Sequence, residues 1–205
     1  MHAPDGCVQP VVPVGTTTAA VRRASLPVRV SAAADSGLPA PRMLSLCCGG
    51  VSGEIWGFQK EGYRCEGVDA CAENVRVLQQ WCLGKVIVGN VAKKDWLQRL
   101  SPQPFVTIFG PPCQPTCTLS SASQAVRMAD PRLQVTFQSQ ARALDVGSPV
   151  IISEHVPAWG GLDFVAPFQR YVRNFESAGY TVQVYQFSPH RLPPPFGTCA
   201  RRWRL

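Results

Sequence analysis

The chain has 205 residues, 45% hydrophobic and only 16% charged, with mean hydropathy near zero, which suits one domain with a sizeable core. Nineteen prolines exceed the usual share, so part of the chain is expected to lie outside that core. The formal net charge of +7 sits at the ends: residues 1–42 hold four Arg and two Asp, residues 187–205 hold four Arg and no acid, and the interior is nearly neutral, which excludes a uniformly basic nucleic-acid coat while leaving a polyanion partner for the last segment.

Residues 1–42 carry prolines at 4, 10, 13, 27, 39 and 41 and no sustained period of 2 or 3.6, which predicts a flexible leader. Containing Arg and poor in acid, the leader also suits an organellar transit peptide. From Met43 to Leu205 short apolar runs alternate with helix-length amphipathic stretches. MLSLC, RCEGVD, KVIV, FVTIF, PVIIS and YTVQVYQF read as strands, and 54–62, 71–83, 93–100, 132–146 and 163–178 read as helices. Strands alternating with helices predict an α/β, doubly wound, mostly parallel sheet covered on both faces, with ligands beyond the C-terminal strand ends.

Nine cysteines at scattered positions with no CxxC pair fit neither a zinc ribbon nor a disulfide framework. No apolar run reaches the roughly 18 to 20 residues of a membrane span, and no secretory signal opens the chain. An intracellular, reducing setting is expected: cytoplasm for a prokaryotic or viral protein, nucleus or organelle for a eukaryotic one.

The strand ends hold the residues with chemical potential. The first runs into Cys47-Cys48-Gly49-Gly50-Val51-Ser52-Gly53, where glycines let the backbone approach a ligand; a tight strand-to-helix turn without a ligand uses the same residues. The second ends at Asp69, either a ribose-binding acid or an ordinary helix N-cap. The fourth empties into Gly110-Pro111-Pro112-Cys113-Gln114, a stiff turn delivering a thiol, followed by a polar stretch to about Asp130 that reads as a movable lid. Most cysteines are merely packed, yet Cys113 is placed as a nucleophile. The fifth ends at Glu154, which at that place lies in a cleft or is satisfied by a partner. Cys113 and Glu154 thus come from successive strands at the same end of the sheet. A zinc deaminase would need its HxE before PCxxC, and neither His155 nor His190 stands in the context of a Cys-His hydrolase.

These residues resemble the cytosine-5 DNA methyltransferases over about Met43 to Leu205. LSLCCGGVSG is similar to the family's glycine-rich cofactor motif, GVDA to the segment holding its ribose-binding acid, GPPCQ to its nucleophile motif, and SEHVPA to its ENV motif. DPRL at 130–133 matches the usual start of the following helix, and FGTCARRWR matches the segment with paired arginines. The resemblance implies the Rossmann-like fold of S-adenosylmethionine-dependent enzymes with its last strands incomplete, and S-adenosylmethionine as cofactor without a metal. It implies Cys113 as nucleophile at cytosine C6, Glu154 as the cytosine-binding acid, and Arg202 and Arg204 as organisers of the site. Leu46, Cys48, Gly49, Gly50, Gly53, Asp69, Asn90 and Pro112 would then border the cofactor, and the partner would be DNA with a flipped cytosine.

Departures from the family pattern are visible. Ser52 replaces a usual glycine in a motif one residue longer, Asn90 replaces an Asp, and His155 replaces the Asn after the catalytic acid. Thr116 and Cys117 stand where an aromatic and a Ser are usual, and Ala200 where a Gln is. In the family a target-recognition region follows the arginine motif, so the resemblance implies a catalytic half without that region: a fragment, a subunit needing a complementary chain, or a decayed copy. An RNA cytosine-5 methyltransferase and a noncatalytic cofactor- or partner-binding module are the alternative readings.

Overall fold

Five of the six apolar runs become strands: β1 (Arg42–Leu46), β2 (Arg64–Asp69), β3 (Val86–Val88), β4 (Val106–Phe109) and β5 (Val150–Ser153). Five helices accompany them: α1 (Gly53–Lys60), α2 (Ala72–Leu78), α3 (Gln124–Met128), α4 (Pro131–Val146) and α5 (Val165–Ser177). The computed structural model describes residues 39–50, 52–82, 84–117 and 122–185. Arg42, assigned to the leader by composition, is the first residue of β1.

The strands make one all-parallel sheet in the order β3-β2-β1-β4-β5. β1 and β4 lie at its centre and are buried nearly throughout, so their sequences show no polar alternation. On one face Ile55 of α1 and Val75 and Leu78 of α2 meet Met43, Cys65, Val86, Val106 and Ile108. On the other, Leu133 and Ala143 of α4 and Tyr171 and Phe175 of α5 meet Leu44, Leu46, Val68, Ile87 and Phe109. The chain winds from β1 out to β3, then crosses to β4 on the other side of β1. The strand order therefore reverses between β1 and β4, and the crevice beyond their C-terminal ends is where such sheets bind ligands.

The DPRL segment starts α4 for a local reason. The Asp130 side chain accepts from the Arg132 N–H, and Pro131 occupies a first-turn position where its missing N–H costs nothing.

Three expectations differ from the structure. In place of a helix over 93–100 there is only a 3₁₀ turn at Leu97–Arg99. Trp96 is fully buried and donates from Nε1 to the Asn90 carbonyl at 2.8 Å, so the chain follows this ring down onto the sheet instead of extending a helix. The strand expected over 180–187 is absent from 180–185, and 186–187 lie outside the described residues. Tyr180 is tied to the Ser148 carbonyl at 2.8 Å, and both β5 and residues 180–185 line a cavity of about 610 Å³ rather than pairing. Finally, α3 occupies part of the stretch read as a lid.

Gly89, after β3, shows how closely this end is packed. A methyl group there would sit 2.8 Å from both Trp96 Cγ and Val68 Cγ1. Gly89→Ala is expected to lower stability by about 2 kcal/mol, read as a lower urea midpoint with unchanged slope. Among the described residues no helix is long and apolar enough to cross a membrane.

Candidate active site

Beyond β1 the chain turns sharply. Cys47 has φ 56° and Gly49 φ 65°, and the second is a conformation that glycine adopts without strain. Among the described residues nothing lies within 4 Å of a methyl group built on Gly49, so its backbone is open on that side. Leu46 and Cys48, read as cofactor neighbours, direct their side chains into the two opposite cores. Burial pushes the Cys48 thiol strongly up, and the Cys47 thiol, 3.5 Å from Ser139 Oγ of α4, is raised for the same reason. What these residues offer a ligand is therefore backbone. Gly50 lies over α2, with Asn74 Oδ1 3.3 Å from where its Cβ would be, and Gly53 opens α1.

Asp69 closes this turn from β2. Its Oδ2 accepts from the Gly49 N–H at 2.8 Å, and its Oδ1 accepts from the Cys71 N–H at 2.8 Å and from Asn74 Nδ2 at 3.0 Å. The carboxylate thus staples the glycine turn to the entrance of α2, whose N-cap is Cys71 rather than Asp69. An ionised carboxylate has about four acceptor positions, so three bonds leave room for a ligand hydroxyl. Asn74 was missed in the sequence; its signal was an amide in the first turn of the helix after the strand-end acid. Asn90 is exposed and accepts at Oδ1 from the Ala92 N–H at 2.9 Å, stabilising its own turn.

The paired ends of β4 and β5 lead into the two reactive candidates, Cys113 and Glu154. The strands pair with Phe109 opposite Ser153, and the Glu154 N–H extends the ladder by donating to the Phe109 carbonyl at 3.1 Å. After Gly110, Pro111 is buried, Pro112 half-buried, and Cys113 exposed at the start of a 3₁₀ turn, Gln114–Thr116. Thr116 fixes that turn by donating from both N–H and Oγ1 to the Cys113 carbonyl at 3.0 and 3.1 Å. Glu154 Oε2 would lie 3.3 Å from a Cβ on Gly110, so the acid rests against the backbone of the turn that carries Cys113. A side chain at 110 would crowd the carboxylate.

Helix α3 joins the two loops. Gln124 Nε2 donates to the Asp163 carbonyl at 2.9 Å, Arg127 pairs with the Asp163 carboxylate, and the Arg127 guanidinium lies 5.3 Å from the Phe164 ring centre. The second half of the expected lid is thereby tied to the segment following Glu154. Arg202 and Arg204 lie outside the described residues.

Behind Glu154 lies a buried polar cluster that the sequence did not reveal. His155 Nε2 is 2.6 Å from Ser153 Oγ and 3.2 Å from Tyr171 Oη, Ser153 Oγ is 2.5 Å from Tyr171 Oη, and the imidazole stacks on Trp159. Burial pushes His155 down to about 4. Unfolding restores the ordinary value of about 6.5, so between these limits the unfolded chain binds the extra proton. Stability is expected to fall by about 3 kcal/mol as pH drops from 7 to 4 on this account, a dependence that urea titrations should find reduced in His155→Gln.

No protein-family model and no curated protein matches the chain. Solved structures match in fold. The Entamoeba histolytica methyltransferase EhMeth aligns with a TM-score of 0.57 at 15% identity, covering 82% of this chain and 52% of that one. A protein described as a DNA modification methyltransferase, encoded within an E. coli prophage, aligns at 0.60 and 14% identity, covering 80% and 45%. A protein of Pyrococcus horikoshii described as an RNA methyltransferase aligns at 0.50 and 15% identity, covering 85% and 76%. The chain spans about half the length of the first two. What it shares with all three is the fold alone, here a parallel α/β sheet with helices on both faces.

Proposed function

We propose that the chain is the catalytic part of a DNA cytosine-5 methyltransferase, acting through a covalent bond from Cys113 to cytosine C6. The observation that carries this reading is the placement of the Cys113 turn and Glu154 on adjacent paired strand ends, with the carboxylate against Gly110. The likeness in fold to methyltransferases supports a transferase.

S-adenosylmethionine fits the crevice at the strand reversal. The open backbone at Gly49 would leave room for it and Asp69 retains acceptor capacity for its ribose hydroxyls; Leu46, Cys48, Gly50, Gly53, Asn90 and Pro112 would border it. Bound there, it supplies an electrophilic methyl group.

Cytosine C5 is a poor nucleophile until C6 is attacked. The Cys113 thiolate forms the S–C6 bond, and the C5–C6 π electrons move toward N3, where Glu154 supplies a hydrogen bond or proton while accepting from N4. C5 then has carbanion character. Once it carries the methyl group, loss of its proton reforms the C5–C6 double bond and expels the thiolate. The base reaches the site by leaving the duplex, at a cost of a few kcal/mol. Arg202 and Arg204 would organise the site by binding a phosphate of the substrate.

The test is trapping with 5-fluorocytosine in DNA and, in parallel, RNA, with the full chain and S-adenosylmethionine. Fluorine prevents the final elimination, so a cofactor-dependent adduct of one chain per oligonucleotide is expected with DNA. An adduct only with RNA would move the substrate class. No adduct with either, while the cofactor binds, would overturn the reading in favour of a binding module.

A further inference from the structure

We propose that His155, with Ser153, Tyr171 and Trp159, is a positioning device that holds Glu154 over the nucleophile's turn, with His155 working as a neutral acceptor at Nε2. This inference rests on the reading of Glu154 as the base-binding acid.

Three features of the cluster lead to it. First, side chains alternate along an extended strand end, so Ser153 and His155 both face α5 and Glu154 between them faces the other way, toward Gly110. Fixing the residues on either side fixes the direction of the acid. Second, the three polar atoms form a closed triangle of 2.6, 2.5 and 3.2 Å, within a pocket of rings: the imidazole lies 5.5 Å from the Trp159 ring at 24° and 5.3 Å from the Tyr171 ring at 87°. Third, the protons can be counted. With Nε2 unprotonated, the Tyr171 hydroxyl donates to Ser153 Oγ and the Ser153 hydroxyl donates to Nε2, or the sequence runs the other way round the triangle; each proton then has an acceptor. With a proton on Nε2, three donors share two acceptor oxygens, and one is left without a partner inside the cluster. Pairing every proton inside the cluster favours the tautomer with its proton on Nδ1.

The segment that carries the acid is therefore anchored from behind by a hydroxyl–hydroxyl–imidazole chain reaching α5, sixteen residues on. His155 touches no reacting atom and is a positioning residue.

The experiment combines two readouts on the full chain. Nitrogen-15 NMR of the histidine rings at pH 7, with three histidines in the chain and His155→Gln identifying the signal, is expected to show Nε2 unprotonated and Nδ1 protonated. In the 5-fluorocytosine assay, His155→Ala is expected to slow adduct formation ~10- to 100-fold with S-adenosylmethionine affinity within about twofold of the parent. Tyr171→Phe, which keeps the ring packing, should slow it several-fold, and His155→Gln, whose amide oxygen can accept from Ser153, should recover part of the loss. A protonated Nε2 at pH 7, or parental trapping rates in both His155→Ala and Tyr171→Phe, would overturn the proposal. Should the parent itself trap nothing, the methyl-transfer reading fails separately. Positioning is then judged by the side-chain carboxyl carbon-13 resonance of Glu154, which must move in Tyr171→Phe; if it stays, the device does not exist.

Discussion

Cys113→Ser is expected to abolish the 5-fluorocytosine adduct and to lower methyl transfer by at least ~10³-fold, because a hydroxyl supplies almost no oxyanion at neutral pH where a thiol supplies thiolate. The change should be nearly silent in stability. Cys113 is exposed at the head of its 3₁₀ turn, and the turn is held by the bonds of Thr116 to the Cys113 carbonyl, which serine keeps. Unfolding should shift by no more than about 0.5 kcal/mol. Intact mass spectrometry of the trapped complex, followed by peptide mapping, checks the claim. Attachment at Cys117, half-buried and four residues further on, would reassign the nucleophile.

Asp69→Asn is expected to damage both cofactor binding and folding, although the side chains are the same size. Three N–H groups converge on the two carboxylate oxygens of Asp69, from Gly49, Cys71 and Asn74. An amide has one acceptor oxygen, so its NH₂ must face an N–H donor on one side: either the Gly49 turn is released, or the entrance to α2 is. Losing one charged hydrogen bond and leaving its donor poorly paired costs about 2 kcal/mol. Release of the Gly49 turn also removes the preformed cradle, and S-adenosylmethionine should bind at least ~30-fold more weakly by calorimetry. An unchanged affinity would remove Asp69 from the cofactor site.

The places of the candidate residues were readable because of where they fall relative to apolar runs. Asp69, Cys113 and Glu154 each follow a run of strand length, and in an all-parallel sheet every such position lands at one end. The helix start at Asp130-Pro131 was equally plain, since its cap bond spans only two residues. Helix α3 was hidden by its brevity. The run over 93–100 misled because Trp96 had a deeper place available in the core than a surface helix would give it. YTVQVYQF misled because alternation describes a segment able to pair, whereas pairing needs a neighbour at strand distance, and a cavity lies alongside β5 instead.

The order of the strands, the end of the sheet where ligands are expected, and the placing of Cys113 and Glu154 at that end were all local in character, set by runs of a few residues and the turns after them. Contacts across the fold are of another kind. That Asp69 staples Gly49, that Asn74 supports it, that Glu154 lies against Gly110, and that His155 forms a triangle with Ser153 and Tyr171 depend on side chains from different strands and helices meeting within about 3 Å. Such meetings arise from the twist and register of the sheet and the seating of α2 and α5 upon it, quantities to which no single stretch of residues has access.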